Sequence, residues 1–155
     1  MKTATPFTII FDLRDVIFNY HSEYRGTEKQ FSIIKKGLEI ILKCHAAIDE
    51  YGRKRNKLYV LSNASPDSHH NLMTHHADIF SYFDGIITSA TSGFSKPDAQ
   101  AFFNIIERYK LDPEQCIFID DKEINVRMAR AIGMQAIQCL DHDAVIQELK
   151  SLGAC

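Results

Sequence analysis

The sequence predicts an α/β domain in which helices cover both faces of a parallel sheet of about five strands. Two observations support this fold class: short apolar runs recur along the chain, and segments with helical periodicity lie between them. Because strand and helix alternate, the strands are expected to pair in parallel, as in a Rossmann-like three-layer fold.

The apolar runs are nearly uninterrupted by polar residues, which is typical of strands that are buried on both faces. In chain order they are FTIIF (7–11), KLYVL (57–61), DGIITS (84–89), CIFID (116–120) and MQAIQC (134–139).

The segments between these runs carry apolar residues three or four positions apart, which indicates helices that pack by one face. Examples are Ile33, Ile34, Leu38, Ile41 and Leu42, and later Phe102, Ile105, Ile106 and Tyr109. Pro66 and Pro97 predict helix starts, Gly52 and Gly133 predict helix ends, and Asp141 predicts the cap of the last helix.

The chain has 155 residues, of which 45% are hydrophobic, and this size suits one domain with one sizeable core. We therefore expect a single domain over 1–155. Residues 20–36 are the least regular part and are predicted to form a vestigial cap or short flap that leads into a helix. Asp12 and Ser62 are only 50 residues apart, so a cap of several helices does not fit between them.

Composition excludes several classes of protein. The formal net charge is −2, so the chain lacks the basic surface that nucleic-acid binding usually needs. No run approaches the ~20 apolar residues of a membrane span. Four widely spaced cysteines form neither a metal knuckle nor a redox pair, which predicts reduced thiols in a cytoplasmic protein.

Polar residues follow four of the predicted strands at the point where each strand ends. In an open parallel sheet these ends meet at one edge, where ligands bind. The residues are Asp12 after the first strand, Ser62 and Asn63 after the second, Lys96 after the third, and Asp120 and Asp121 after the fourth.

These residue types suit phosphate chemistry. The acidic cluster would bind a cation such as Mg²⁺, a hydroxyl and a lysine would hold phosphate oxygens, and one carboxylate would act as a nucleophile. Each residue alone is more often a turn or cap residue than a catalyst. Their common place at one sheet edge favours the functional interpretation.

Four motifs in this order resemble those of the haloacid dehalogenase superfamily, whose members are mostly phosphatases. They are IIFDLRDVIF, VLSN, GFSKPD and FIDDKEINVRMARAIGM. Within the superfamily, the motifs look most like the branch of α-D-glucose-1-phosphate phosphatase and the N-terminal phosphatase domain of soluble epoxide hydrolase.

The resemblance implies a role for each matching residue. Asp12 would be the nucleophile that becomes an aspartyl-phosphate, and Lys96 would be the second catalytic residue. Ser62, Asn63 and Arg14 would bind the substrate, a phosphomonoester that is either a sugar phosphate or a larger phosphosubstrate. The predicted metal site consists of Asp12, Asp121 and the backbone carbonyl of Arg14 as Mg²⁺ ligands, with Asp120 supporting the site and Asn125 near it.

Arg14 departs from the family pattern. Most phosphatases of this kind have a second Asp there, which protonates the leaving oxygen and later activates water, whereas an arginine is a poor general base. Three interpretations stay open: a substrate clamp in an enzyme that uses another acid such as Asp15, an enzyme that needs little leaving-group protonation, and a fold whose catalysis has decayed. Asp15 is expected to point in another direction from the motif position.

The favoured function is a Mg²⁺-dependent phosphohydrolase, slow because of Arg14. The alternative is a catalytically impaired phosphate-binding or regulatory module, and a dehalogenase is a third option that the acidic pair disfavours. A receiver domain is excluded, because its acidic pair follows the first strand. The partner is therefore a phosphorylated small molecule or macromolecule, and the sequence leaves the oligomeric state open.

Overall fold

The computed structural model describes residues 6–155 and contains seven strands. In chain order the strands are β1 (Phe7–Phe11), β2 (Phe18–Tyr20), β3 (Phe31–Ile33), β4 (Asn56–Ser62), β5 (Gly85–Thr88), β6 (Cys116–Asp120) and β7 (Gln135–Gln138). Five of them form a parallel sheet in the order β5-β4-β1-β6-β7, and β2 pairs with β3 in a separate antiparallel sheet. The predicted α/β fold with five parallel strands is confirmed.

Within residues 6–155, seven α-helices accompany the strands. They are α1 (Lys35–Ala46), α2 (Pro66–His75), α3 (Ala77–Phe80), α4 (Ser89–Ser92), α5 (Ala99–Tyr109), α6 (Glu123–Ile132) and α7 (His142–Ser151). Short 3-10 helices occupy Ser22–Tyr24 and Pro113–Gln115.

The two faces of the sheet bury two separate apolar clusters, because successive side chains of a strand point to opposite faces. On β1, Ile9 and Phe11 belong to the cluster that contains residues of α1 and α7. Ile10 belongs to the other cluster, with Phe102 of α5 and Val126 of α6. The arrangement is therefore helix, sheet, helix in three layers.

Most of the predicted helix boundaries have a visible cause. Ser65 and Asp141 accept hydrogen bonds from Ser68 N and Asp143 N, respectively, at the starts of α2 and α7. Gly133 has a φ of 108° just after α6, in the left-handed region that ends helices.

Gly52 does not end a helix and Pro97 does not start one, contrary to the predictions. Asp98 caps α5, which begins at Ala99, so Pro97 lies before the helix. Helix α1 stops at Ala46, and Gly52 lies in a following turn with a φ of 78°. The side chain of Asp49 holds this turn, because its carboxylate accepts hydrogen bonds from the backbone N–H groups of Tyr51 and Arg53.

Residues 18–33 form a β-hairpin, consisting of β2, β3 and the connecting segment between them. Two side chains tie the hairpin to α2: Asn71 Nδ2 donates to Thr27 O at 2.8 Å, and Gln30 Nε2 donates to Ser68 Oγ at 3.3 Å. The hairpin and the start of α1 coincide with the predicted flap over 20–36; that it acts as a cap stays a prediction.

The single domain predicted over 1–155 also stays a prediction, and its first five residues lie outside the described part of the chain. Within residues 6–155, every helix is too short or too polar to cross a membrane. The cytoplasmic location remains a prediction from the cysteines.

Candidate active site

The carboxyl ends of the strands bring the predicted site residues together. Phe11 of β1 pairs with Ile119 of β6, so Asp12 and Asp120, the next residues on each chain segment, come side by side. A cavity of about 410 Å³ opens at this edge. Its lining consists of Asp12, Arg14, Asp15, Asn63, Lys96, Asp121, Lys122 and Asn125.

Lys96 joins the two carboxylates. Its Nζ donates to Asp12 Oδ1 at 2.9 Å and to Asp120 Oδ2 at 2.8 Å, and its side chain is only 1% exposed. A buried ammonium is stabilised only when its charge is paired, so the three residues depend on one another.

Asn63 fixes the segment that carries Lys96. Its Nδ2 donates to Lys96 O at 2.9 Å, and its Oδ1 accepts from Lys96 N at 2.8 Å. The amide therefore holds the backbone of Lys96 from both sides while it also lines the cavity.

Asp120 is completely buried, and each of its oxygens is engaged. Besides the bond from Lys96, its Oδ2 accepts from Asn125 Nδ2 at 3.0 Å, and its Oδ1 accepts from Lys122 N at 2.9 Å. These bonds hold the Asp120 carboxylate in one orientation next to Asp12.

The three carboxylates repel one another in their charged forms. Burial raises the pKa of Asp12, although Lys96 opposes the shift. Burial, followed by the proximity of Asp12 and Asp120, raises the pKa of Asp121 to about 7. Negative charge is therefore crowded at this end of the cavity.

These residues fit a divalent cation. One oxygen from each of Asp12, Asp120 and Asp121 lies within 4.8 Å of the others. Lys96 compensates one of the three carboxylate charges, which leaves two for a cation to balance. Carboxylate oxygens are the ligands that hard divalent cations such as Mg²⁺ prefer.

Arg14 is exposed at the rim of the cavity, where its guanidinium carbon lies 4.4 Å from the centre of the Tyr20 ring. It lines both the main cavity and a second cavity of about 180 Å³. The Tyr20 ring, at the end of β2, thus supports the side chain that separates the two cavities.

Ser62 is buried at the end of β4 and lies in the lining of the second cavity. Tyr20, Phe31 and Leu72 supply apolar surface to the same cavity. Asn63 lines both cavities, so the predicted substrate-binding residues are divided between two neighbouring cavities.

Asp15 has a φ of 66° and donates its N–H to Phe18 O at 2.8 Å. This tight turn leaves Asp15 in the lining of the main cavity together with Arg14. A left-handed backbone conformation at a non-glycine residue is not apparent from a sequence motif. For this reason the motif predicts a different direction for the Asp15 side chain.

Sequence reasoning missed Lys122 and Tyr20. Lys122 directly follows the acidic pair, and this adjacency is a signal that would have found it. Tyr20 carries no such signal, because its contact with Arg14 depends on the path of the hairpin.

Comparisons with known proteins point to one family of hydrolases. A family model described as haloacid dehalogenase-like hydrolase matches residues 28–133. The chain is 33% identical over 98 residues to a sesquiterpene phosphatase of Aspergillus oryzae, which covers 63% of this chain and 50% of that protein. It is 31% identical over 112 residues to a phosphatase of Mycobacterium tuberculosis, covering 70% and 52%. The chain thus spans about half the length of these two relatives.

Among solved structures, the fold resembles a HAD family enzyme from Bacteroides thetaiotaomicron in complex with magnesium and inorganic phosphate. The TM-score is 0.69 at 16% identity, and the match covers 86% of this chain and 94% of that one. At this identity the likeness concerns the fold alone.

Proposed function

Since this chain belongs to the haloacid dehalogenase-like hydrolase family, we propose that it is a Mg²⁺-dependent phosphohydrolase that cleaves phosphomonoesters through an aspartyl-phosphate on Asp12. The observation that carries the proposal is the position of Lys96 Nζ between Asp12 and Asp120, beside Asp121. The positive charge of Lys96 would offset the repulsion between the Asp12 carboxylate and a dianionic phosphate, so that the two anions can meet.

Asp12 is the nucleophile of this reaction. Its carboxylate attacks phosphorus, the bond to the leaving oxygen breaks, and water then hydrolyses the phosphoryl group from Asp12. Leu13 N–H and Lys96 Nζ both donate to the Asp12 carboxylate and so orient it. Bound Mg²⁺ would supply positive charge that shields the carboxylates and polarises the phosphoryl oxygens.

The residues that would hold the cation are Asp12, Asp120, Asp121 and the backbone carbonyl of Arg14. Asn125 and Lys122 act through Asp120, since both donate to its carboxylate. Asn63 positions Lys96 through its two backbone hydrogen bonds, in addition to its predicted place beside the substrate.

Arg14 serves as a substrate clamp at the boundary of the two cavities. Its stacking on Tyr20 holds a permanent cation where the leaving group of a phosphomonoester would lie. Asp15, a carboxylate in the same cavity, is the candidate for protonating the leaving oxygen. Arg14 occupies the position where most such phosphatases carry an acid, so a proton for the leaving oxygen would have to come from another residue.

The substrate is either a sugar phosphate or a larger phosphosubstrate. Over residues 6–155 no group of helices covers the cavity, so selectivity would come from the hairpin or from a substrate large enough to close the site. A sesquiterpene phosphate belongs in the test panel, because one relative is a sesquiterpene phosphatase.

Phosphate release from a panel of phosphomonoesters, with Mg²⁺ and with EDTA, tests the proposal. We expect Mg²⁺-dependent release by the wild type and its loss in Asp12→Asn. Arg14→Asp places an acid and base at the motif position and is expected to raise kcat by up to about 10² to 10⁴, while it raises KM because the clamp is lost. Release that is unaffected by Asp12→Asn or by EDTA would contradict the proposal.

Arg14 also favours a second candidate, a phosphate-binding or regulatory module with impaired catalysis. This module would bind phosphate at Lys96 and release none from any ester. Turnover by Arg14→Asp together with none by the wild type would identify it.

A further inference from the structure

Two cysteines distant in the sequence lie together on the α1 and α7 side of the sheet. Cys44 is fully buried near the end of α1, and Cys155 packs partly buried against the same apolar cluster. Both side chains therefore lie in one packed region of the molecule. Neither is in a disulfide.

Asn56 holds the two chain segments together. Its Nδ2 donates to Cys44 O at 2.8 Å and to Ala154 O at 2.6 Å, so one buried amide joins the backbone beside each thiol. Ala154 is itself completely buried, and its N–H donates to Leu149 O at 2.9 Å. The packing of the segment after α7 thus keeps Cys155 close to the end of α1 that carries Cys44.

The two sulfurs differ in reactivity. The hydrogen bond from Cys44, followed by Lys150 and Lys43, lowers the pKa of Cys155 to about 7. The hydrogen bond to Cys155 and burial raise the pKa of Cys44. Since the thiolate is the nucleophilic form, the half-exposed Cys155 is the sulfur that an oxidant would meet first.

The other two cysteines lack these features. Burial raises the pKa of Cys116 to about 12, and burial and nearby carboxylates raise that of Cys139 to about 11. Both side chains are buried, so they provide internal controls within the same protein.

We propose that Cys44 and Cys155 form a reversible intramolecular disulfide when a peroxide oxidises the protein. Cys155 thiolate attacks a peroxide oxygen, the O–O bond breaks, and the departing hydroxide takes a proton to become water while Cys155 becomes a sulfenic acid. Cys44 sulfur then attacks Cys155 sulfur, the S–O bond breaks, and hydroxide leaves with the Cys44 proton as a second water. Each sulfur gives up one electron, and the peroxide gains two.

The disulfide would tie α1 to the segment after α7 and close a loop of about 110 residues. A cross-link over such a loop restricts the unfolded chain, so the oxidised protein should be the more stable form. A thiol reductant would reverse the change.

The test treats the reduced full chain with hydrogen peroxide, alkylates the remaining thiols, and analyses it by mass spectrometry without reduction. We expect the wild type to lose two hydrogens, to keep two alkylatable thiols at Cys116 and Cys139, and to yield one peptide pair joined through Cys44 and Cys155. Its melting temperature should rise by several degrees and return after dithiothreitol.

Two variants separate the steps. In Cys44→Ala, dimedone should label Cys155 as a sulfenic acid, and in Cys155→Ser neither a cross-link nor a melting-temperature rise should occur. Peroxide treatment of the wild type that leaves four free thiols, joins Cys155 residues of two chains, or oxidises Cys44 alone would overturn the proposal. These contradicting results are all measured on the wild type, so the proposal can be tested even if a variant fails to fold.

Discussion

Lys96 is the single cation buried between the carboxylates of Asp12 and Asp120, within the part of the chain that the structure describes. A buried pair that loses one partner leaves an uncompensated charge, which is more costly than the loss of an exposed pair. Lys96 therefore contributes to folding as well as to the proposed reaction.

Lys96→Met is expected to lower the free energy of unfolding by about 3 to 5 kcal/mol in EDTA. Mg²⁺ should restore part of this loss, because it supplies positive charge at the same carboxylates. Urea denaturation with and without Mg²⁺ measures both effects. Lys57→Met, at an exposed lysine of β4, is the control, and equal stabilities of the two variants would refute this role for Lys96.

The Tyr20 ring holds the side chain of Arg14 through a cation–π contact. Loss of a cation–π contact at an exposed site corresponds to about 0.5 to 1 kcal/mol, so Tyr20→Leu should raise KM about two- to fivefold with kcat nearly unchanged. Steady-state kinetics provide the measurement, and Tyr24→Leu, elsewhere in the hairpin, is the matched control. A fall in kcat with an unchanged KM would show that Tyr20 does not position a substrate-binding group.

The residues of the site could largely be predicted, whereas their contacts could not. Asp12, Lys96, Asp120 and Asp121 are found from the ends of their strands, because parallel strands share one functional edge. The double role of Asn63 and the cavity position of Asp15 depend on backbone geometry. A hydrogen bond to the backbone of Lys96, 33 residues away, leaves no mark in the sequence.

At the scale of elements, the hairpin of residues 18–33 is fixed to α2 by the Asn71 side chain. Asn71 is buried, and its Oδ1 has no partner among the described residues. The hydrogen bond from its Nδ2 to Thr27 O is therefore the bond by which its side chain holds the hairpin. This tie makes the hairpin a fixed wall of the site.

Asn71→Leu keeps a side chain of similar size and removes the donor to Thr27 O. Amide hydrogen exchange in residues 21–30 should accelerate, while that in β4 stays unchanged. Hydrogen-exchange mass spectrometry measures both regions, and Thr74→Leu, on the exposed side of α2, is the control. Unchanged exchange in the hairpin would mean that other contacts hold it.

Helix α1 packs closely against the turn that follows Asp12. A Cβ at Gly37 would lie 2.3 Å from Val16 O, an oxygen that also accepts a hydrogen bond from His142 Nε2. Gly37→Ala is therefore expected to lower the free energy of unfolding by about 1 to 3 kcal/mol and to reduce activity by moving this turn. Urea denaturation and an activity assay test this, with Glu39→Ala as the control; wild-type values for both would contradict the account.

The elements themselves were the most predictable level. All five parallel strands follow from apolar runs. Pro66 and Asp141 predict the starts of α2 and α7, and Gly133 predicts the end of α6. The early end of α1 was missed because Asp49 stabilises a turn where the helical pattern continues. Short strands β2 and β3 were not predicted, since three residues are too few to show a period.

At the scale of the whole molecule, the parallel sheet converts residues spread over 110 positions into one site. Asp12 follows β1, Lys96 precedes α5, and the acidic pair ends β6, which lies beside β1. The order of strands thus brings the proposed nucleophile beside its acidic partners, with Lys96 bonded to both Asp12 and Asp120. Under the proposed function, substrate selectivity would come from the hairpin and from the second cavity beside Arg14.

The central claim is that Asp12 carries the phosphoryl group. Because Arg14 activates water poorly, phosphorylated Asp12 should accumulate during turnover. Acid-quenched protein, taken during turnover of a phosphomonoester with Mg²⁺, is digested and the peptide containing Asp12 is analysed by mass spectrometry. The account predicts one phosphoryl group on Asp12 in the wild type, less in Arg14→Asp, and none in EDTA or in Asp12→Asn. Phosphate release without a phosphoryl group on Asp12, or a phosphoryl group on another residue, would contradict it.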